Sequence, residues 1–342
     1  MSAATRAAPR SRGTLVLPLP TTVTKRTRPP TANSTLASSP LHHSSSDVIV
    51  VSDGWKRFPT KRSRAAAKAP AVLLQRAFLP KPPDTHNWQV ALTGKVIAIT
   101  GANRGIGFGI AQVCLANGAA AVVSLDIFEP GEEFWAEKKS RSGRLHFIHC
   151  DIASPKDITA AFDRIVADHG GRFDGLVANA GRSRHQPALA VDRMAMEDLF
   201  IINVYAAYDC AVAAAKKFID LDVCGSIVFT SSMTAYGPNR SSACSVYGAS
   251  KGALRNMTVS LATEWAKHGI RVNSVSPGFV ETALTTHFKQ QPDWETKMKY
   301  FGGMGRMADP RELGGAYVYL LSDSATYTTG IDIPVAGGVG AW

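Results

Sequence analysis

Tyr247 and Lys251 stand four residues apart in the run Tyr247-Gly248-Ala249-Ser250-Lys251, which suits the start of a helix. Residues four apart share one helix face. A phenol ionises near pH 10 in water, too high for a useful base at neutrality. An ammonium beside it favours the phenolate and lowers that pKa. Such a pair can donate or accept a proton near pH 7. Tyr-x-x-x-Lys also arises by chance, as a buried tyrosine next to a lysine whose stem lies on apolar surface. Its meaning depends on what precedes it in the chain.

What precedes it is a glycine-rich turn. Thr100-Gly101-Ala102-Asn103-Arg104-Gly105-Ile106-Gly107 follows the apolar, β-branched run VIAIT and opens a segment with helical spacing. Glycines let a backbone turn tightly and approach a pyrophosphate, and the helix start offers free N–H groups and the positive end of its dipole. Asp126 ends the next strand, AAVVSLD, where a carboxylate can accept from the ribose hydroxyls of an adenosine. A tight strand–helix turn followed by a surface aspartate is the plainer reading of the same residues.

The glycine spacing is Gly-x-x-x-Gly-x-Gly. With Tyr247-x-x-x-Lys251 it resembles the short-chain dehydrogenase/reductase family, whose cofactor motif TGxxxGIG is matched in full by residues 100–107. Within that family the sequence looks like the polyol and ketose reductases. The resemblance implies that Tyr247 is the acid/base, and that Lys251 lowers its pKa and binds the nicotinamide ribose. It implies a substrate-orienting serine at the end of the preceding strand, assigned here to Ser232, with Thr234 and Ser231 as alternatives. Asn203 matches the helix asparagine that supports the lysine. Asn179-Ala180-Gly181 resembles the motif packed beside the cofactor. Asp151 and Ile152 match the place where the adenine is met. Pro277, Gly278 and Val280 match the turn after the sixth strand, and Thr282 matches the residue that holds the carboxamide. Where the family usually reads VDGG, this chain has Val335-Ala336-Gly337-Gly338.

These residues need a scaffold, and the pattern from about residue 88 provides one. Apolar β-branched runs alternate with helical ones: a helix over Gly105–Asn117, a strand RLHFIHCD, and a helix capped by Ser154. A strand GLVANAG, a helix over Leu199–Ala215, a strand GSIVFTSS and a helix over Val246–His268 follow. The strand IRVNSVSPG, a helix near Pro310–Leu321 and the strand IDIPVAGG end the series. This alternation predicts an α/β domain: one Rossmann-like, doubly wound parallel sheet with helices on both faces, over residues 88–342. Residues 1–87 read as a disordered, basic, Pro- and Ser-rich leader, with a mitochondrial transit peptide as the alternative.

The charge supports that division. The chain has a formal charge of +11, and residues 1–86 hold 14 Lys/Arg against Asp47, Asp53 and Asp84. The remainder is balanced, so no basic excess marks the folded part for nucleic acid. Five cysteines without close pairs argue against a disulfide framework and suit a reducing, cytoplasmic setting. His146 and His149 fall on opposite faces of one strand, which argues against them as a metal pair. No apolar run approaches the roughly 20 residues of a membrane span.

The expected function is therefore hydride transfer between a nicotinamide cofactor and a secondary alcohol or ketone: a sugar alcohol, a ketose or a secondary-metabolite ketone. The competing reading, a non-catalytic nucleotide-binding redox sensor, would predict degraded catalytic residues, and none is degraded. Asp126 repels a 2′-phosphate and favours NAD. Arg104 resembles the basic residue of some NADP-using members, so NADP stays open. The family also implies a homo-oligomer, dimer or tetramer. The loop Thr282–Met307, with His287, Phe288, Trp294, Tyr300 and Phe301, would close over a small-molecule substrate.

Overall fold

Buried parallel strands are expected to be short and rich in β-branched residues, since both faces are covered. The computed structural model describes residues 81–239, 242–283, 285–301 and 303–339. Among them are seven parallel strands: β1 (Val96–Thr100), β2 (Ala121–Asp126), β3 (Leu145–His149), β4 (Gly175–Ala178), β5 (Ser226–Thr230), β6 (Arg271–Pro277) and β7 (Asp332–Val335). They form one sheet in the order β3-β2-β1-β4-β5-β6-β7. The order reverses between β1 and β4. In open parallel sheets, ligands bind at the carboxyl ends of the strands beside such a reversal.

The helices are α1 (Gly105–Ala116), α2 (Glu132–Ser140), α3 (Pro155–Asp168), α4 (Arg193–Phe200), α5 (Ala206–Asp220), α6 (Ser245–Trp265), α7 (Thr286–Lys289), α8 (Trp294–Phe301) and α9 (Gly314–Leu321). The alternation of side chains along β1 sends Val96 and Ala98 to one face and Ile97 and Ile99 to the other. The first face packs against α3, α5 and α6 through Phe162, Ala211, Phe218 and Leu254. The second packs against α1 and α9 through Ile110, Leu115, Tyr317 and Leu321. The expected doubly wound architecture is therefore the observed one.

Several elements differ from the sequence reading. The charged helix α2 (Glu132–Ser140) and the short helices α7 and α8 were not anticipated. The expected helix over Leu199–Ala215 is a longer run, α4 and α5 joined by a π-turn over Ile201–Tyr205. That run, Arg193–Asp220, is 28 residues long and apolar enough to span a membrane by length and composition. Here it lays Ala207, Ala211, Ala214 and Phe218 on the sheet instead. Ser154 caps α3 as expected, accepting from Asp157 N at 3.3 Å. Most of the anticipated leader, residues 1–80, lies outside the described residues. His86, inside its expected range, is already bonded to the domain through Asp323 O at 2.9 Å.

Candidate active site

The glycine turn opens α1 at the switch point. Gly105 has φ +59°, a conformation that favours glycine. A Cβ on Gly107 would lie 2.3 Å from Gly101 O, so the turn closes this tightly only without a side chain there. The N-cap position of α1, Arg104, makes no side-chain cap, and the first turn carries no acid. The first N–H groups of α1 thus keep the polarity that suits a phosphate.

Thr100, at the end of β1, pins the crevice. Its hydroxyl accepts from Asn179 N at 3.0 Å and Ala180 N at 2.9 Å. Asn179 Nδ2 returns the contact by donating to Thr100 O at 3.0 Å and Gly101 O at 3.3 Å. The ends of β1 and β4 are therefore held by reciprocal hydrogen bonds, and Gly101 lies against Ala180.

Asp126 sits where β2 ends, 8% exposed. One carboxylate oxygen accepts from Phe128 N at 3.1 Å and the other from Asn103 N at 3.4 Å. Asn103 is itself tied down by Ser124 Oγ, which donates to its Oδ1 at 2.7 Å. The Arg104 guanidinium stacks 4.7 Å over the Phe128 ring. Carboxylate and guanidinium thus flank the same turn, consistent with a site for the adenosine ribose. Asp151 lies just beyond β3 and accepts from Ala153 N at 2.9 Å. Ile106 is partly buried against the core, and Ile152 and Val280 are buried in it. Pro277 ends β6, and Gly278 N bonds to Val335 O at 3.1 Å. Thr282 reaches back over Gly105: its Cγ2 is 3.5 Å from where a Cβ on that glycine would be. The residues present therefore fit a dinucleotide lying across the carboxyl ends of β1, β2 and β4.

Tyr247 and Lys251 lie on successive turns of α6. Lys251 is 4% exposed and donates to Thr230 O at 2.7 Å. Its Nζ is 5.8 Å from the Tyr247 ring centroid. Burial pulls the Lys251 ammonium down to about 8. Burial also pushes the Tyr247 phenol up to about 12, while a hydrogen bond with Ser232 pulls the other way. The expected lowering of Tyr247 by Lys251 is thus not what this geometry gives. Loss of water around the hydroxyl is the larger effect, because the phenolate would be a buried anion.

The three candidate hydroxyls have different partners. Ser232 is the one bonded to Tyr247. Ser231 Oγ is committed to Lys251 O at 3.0 Å, and Thr234 bonds to Ser232 through both N (3.1 Å) and Oγ1 (2.9 Å). Asn203 sits in the π-turn, an irregularity that often marks functional positions in helices. It is fully buried and donates to Ser250 Oγ at 3.0 Å and Arg182 O at 2.9 Å. Ser250 Oγ in turn donates to Tyr247 O at 2.7 Å. Asn203 Oδ1 and Lys251 Nζ lie 3.2 and 3.5 Å from the side-chain position of Gly181, so the two groups face one opening.

Sequence reasoning missed two supporting residues. Thr230 Oγ1 bonds to Asn179 Oδ1 at 3.2 Å and to Tyr317 OH at 2.8 Å. Tyr317 is fully buried on α9. A tyrosine inside an apolar helix such as GGAYVYLL needs a polar partner, and that was the available signal.

The loop after β6 forms a separate wall. Its ends are pinned together by Glu281 N to Ala308 O and Ala308 N to Phe279 O, each 2.9 Å. Between them Phe279, Phe288, Met298 and Met307 make a small cluster with Trp294, and Met233, next to Ser232, packs on it. Tyr300 is exposed instead. The side chains of His287 and Phe301 lie outside the described residues. The Tyr247 phenol thus stands between the glycine-lined crevice and an apolar wall.

The chain is similar to known proteins. A family model described as enoyl-(acyl carrier protein) reductase matches residues 101–340. The sorbose reductase of Schizosaccharomyces pombe is 34% identical over 257 residues, covering 72% of this chain and 96% of its own length. The NADP-dependent mannitol dehydrogenase of Hypocrea jecorina is 31% identical over 269 residues, covering 76% and 98%. The structure of an NAD+-bound xylitol dehydrogenase superposes with a TM-score of 0.65 at 28% identity, covering 72% and 99%. The chain belongs to the short-chain dehydrogenase/reductase family, and is an oxidoreductase that uses a nicotinamide cofactor to interconvert a secondary alcohol and a ketone.

Proposed function

We propose that this chain reduces a ketose to a sugar alcohol, and reverses that reaction as pH rises. The observation that carries the reading is the position of the buried Tyr247 phenol, hydrogen-bonded to Ser232 and with its ring 5.8 Å from Lys251 Nζ, where loss of water raises its pKa. At neutral pH such a phenol holds its proton and is a donor to a carbonyl oxygen. Ser232 orients that oxygen. A nicotinamide dinucleotide held in the glycine crevice would supply the hydride chemistry. Lys251 places an ammonium beside the developing phenolate, and Asn203 holds the Gly181–Arg182 backbone and, through Ser250, the first turn of α6. Alcohol oxidation needs the phenolate as proton acceptor, so it gains as pH rises.

The polyol class is favoured by what the relatives named above act on: sorbose, mannitol and xylitol. For the cofactor we propose NAD, because Asp126 ends β2 beside the glycine turn, where its charge would oppose a 2′-phosphate. Relatives include both an NADP-dependent enzyme and an NAD+-bound one. We also infer a homo-oligomer: Ile201, Tyr205 and Tyr208 expose apolar surface along one helical run. Five free cysteines fit a cytoplasmic setting. The test is a panel of ketoses, alditols and simple ketones with both cofactors. Turnover of simple ketones alone would remove the sugar reading, and sedimentation as a monomer would remove the oligomer.

A further inference from the structure

His185 is polar, close to Tyr247, and unused by the mechanism above. It lies in the loop that leaves Gly181, before the short turn Ala188–Ala190. Its ring centroid is 6.5 Å from that of Tyr247 and 5.2 Å from that of Phe288, which it meets edge-on at 89°. Phe288 continues to Phe279 at 5.9 Å and Trp294 at 6.1 Å. The imidazole therefore joins the proton-carrying phenol to the apolar wall. Its orientation is set by Ser183 Oγ, 3.1 Å from Nε2.

An apolar wall distinguishes poorly between a polyol and a simple alcohol of the same shape. A site that hydrogen-bonds a substrate hydroxyl rejects analogues lacking it far more strongly. Phe279, Phe288, Met298 and Met307 offer no strong hydrogen-bonding group. His185 does, and it stands beside the residue that handles the reacting oxygen. We propose that His185 is the specificity-determining residue of this site, its imidazole hydrogen-bonding the hydroxyl on the carbon next to the reacting one. The site would thereby select α-hydroxy ketones and vicinal diols over simple ketones and alcohols. This rests on the sugar reading given above.

The test compares wild type, His185→Phe and His185→Asn. Phenylalanine keeps a ring against Tyr247 and Phe288 but cannot hydrogen-bond, whereas asparagine retains a donor and an acceptor. Each protein is assayed with the best ketose of the panel and with cyclohexanone, which has no neighbouring hydroxyl, and cofactor affinity is measured by fluorescence titration. In wild type the ketose should be preferred by about 100-fold or more in kcat/KM. His185→Phe should lose at least about tenfold of that, mainly through KM, with cyclohexanone within about twofold and cofactor affinity unchanged. His185→Asn should recover part of the preference. A wild type preferring the ketose with His185→Phe equally selective overturns this inference alone. Equal losses on both substrates also overturn it, by assigning His185 to packing. A wild type that reduces cyclohexanone and no ketose overturns the sugar reading and this inference together.

Discussion

The crevice over the glycine turn and the wall after β6 face each other across Tyr247 but are built differently. The crevice is held by backbone and short side chains: Thr100 and Asn179 each bond a main-chain group of the other, and Asn103 N donates to the Asp126 carboxylate. The wall is held by bulk. Phe279, Phe288, Met298 and Met307 pack on each other, apart from the two main cores. A dinucleotide phosphate demands fixed donors, and fixed donors come from strand ends and a helix start. A variable substrate demands shape, and side-chain packing can change shape without disturbing the sheet. Chemistry and cofactor should therefore fail sharply when one group is removed, and substrate contacts should fail gradually.

The most severe break is expected at Tyr247. Tyr247→Phe keeps the ring and deletes the hydroxyl, and kcat should fall by at least about 100-fold, within the range for general acid–base catalysis. Cofactor binding should hold. Steady-state kinetics with a cofactor titration checks both, and near-normal turnover would remove Tyr247 from its role.

Asp126 should show the next largest effect. Two unit charges about 4 Å apart interact by about 4 kcal/mol at an effective dielectric of 20, and solvent and salt at the cleft reduce this strongly. Asp126→Ser should shift preference toward NADP by about tenfold or more. Adding Arg104→Ala should cancel much of that shift, since the guanidinium beside Phe128 is the nearby cation on this turn. Wild-type preference for NADP by tenfold would show that Arg104 outweighs Asp126.

The two regions were also unequally legible in the sequence. Gly101, Gly105, Gly107 and Asp126 answer to backbone geometry, which recurs with fixed spacing, so their positions could be read directly. Tyr247 and Lys251 were legible for the same reason. The pKa balance was not: four-residue spacing says that a lysine shares a face with a tyrosine, but not that burial outweighs it. Nor was the π-turn around Asn203, because one inserted residue leaves the apolar periodicity nearly intact. Helices α7 and α8 stayed hidden because their side chains face a small local cluster, and the sheet sets no period for them.

Lys251 offers a stability test of the same balance. Its fall from 10.5 to about 8 corresponds to roughly 3 kcal/mol of unfavourable burial at neutral pH. The unfolded chain binds the extra proton between about pH 8 and 10.5, so this penalty is full below pH 8 and fades as pH rises through that window. Lys251→Met should abolish most activity yet stabilise the cofactor-free protein at pH 7. The gain should be about 1–2 kcal/mol once the lost bond to Thr230 O is counted. Urea unfolding at pH 7 and pH 10 checks it. A gain that is equal at both, or absent at pH 7, rejects the burial account.

The smallest expected effect separates the wall from the core. Leu176 on β4 is fully buried between the sheet's neighbours, and Leu176→Ala should cost about 2–5 kcal/mol of global stability. Phe288 is nearly as buried, at 3%, and by burial alone its loss would cost as much. Its aromatic neighbours Phe279 and Trp294, however, belong to the wall cluster, and Phe288 is in neither main core. A segment pinned at Phe279–Glu281 and Ala308 can open locally while the sheet stays folded, and a substitution inside it then weakens only that local unit. Phe288→Ala should therefore shift global unfolding by less than about 1 kcal/mol, against the usual cost of a phenylalanine deletion. Limited proteolysis within residues 282–307 should quicken, and KM for the ketose should rise severalfold with kcat little changed. A global loss as large as that of Leu176→Ala would mean that the wall and the sheet unfold as one, and that the division between the two regions is one of shape alone.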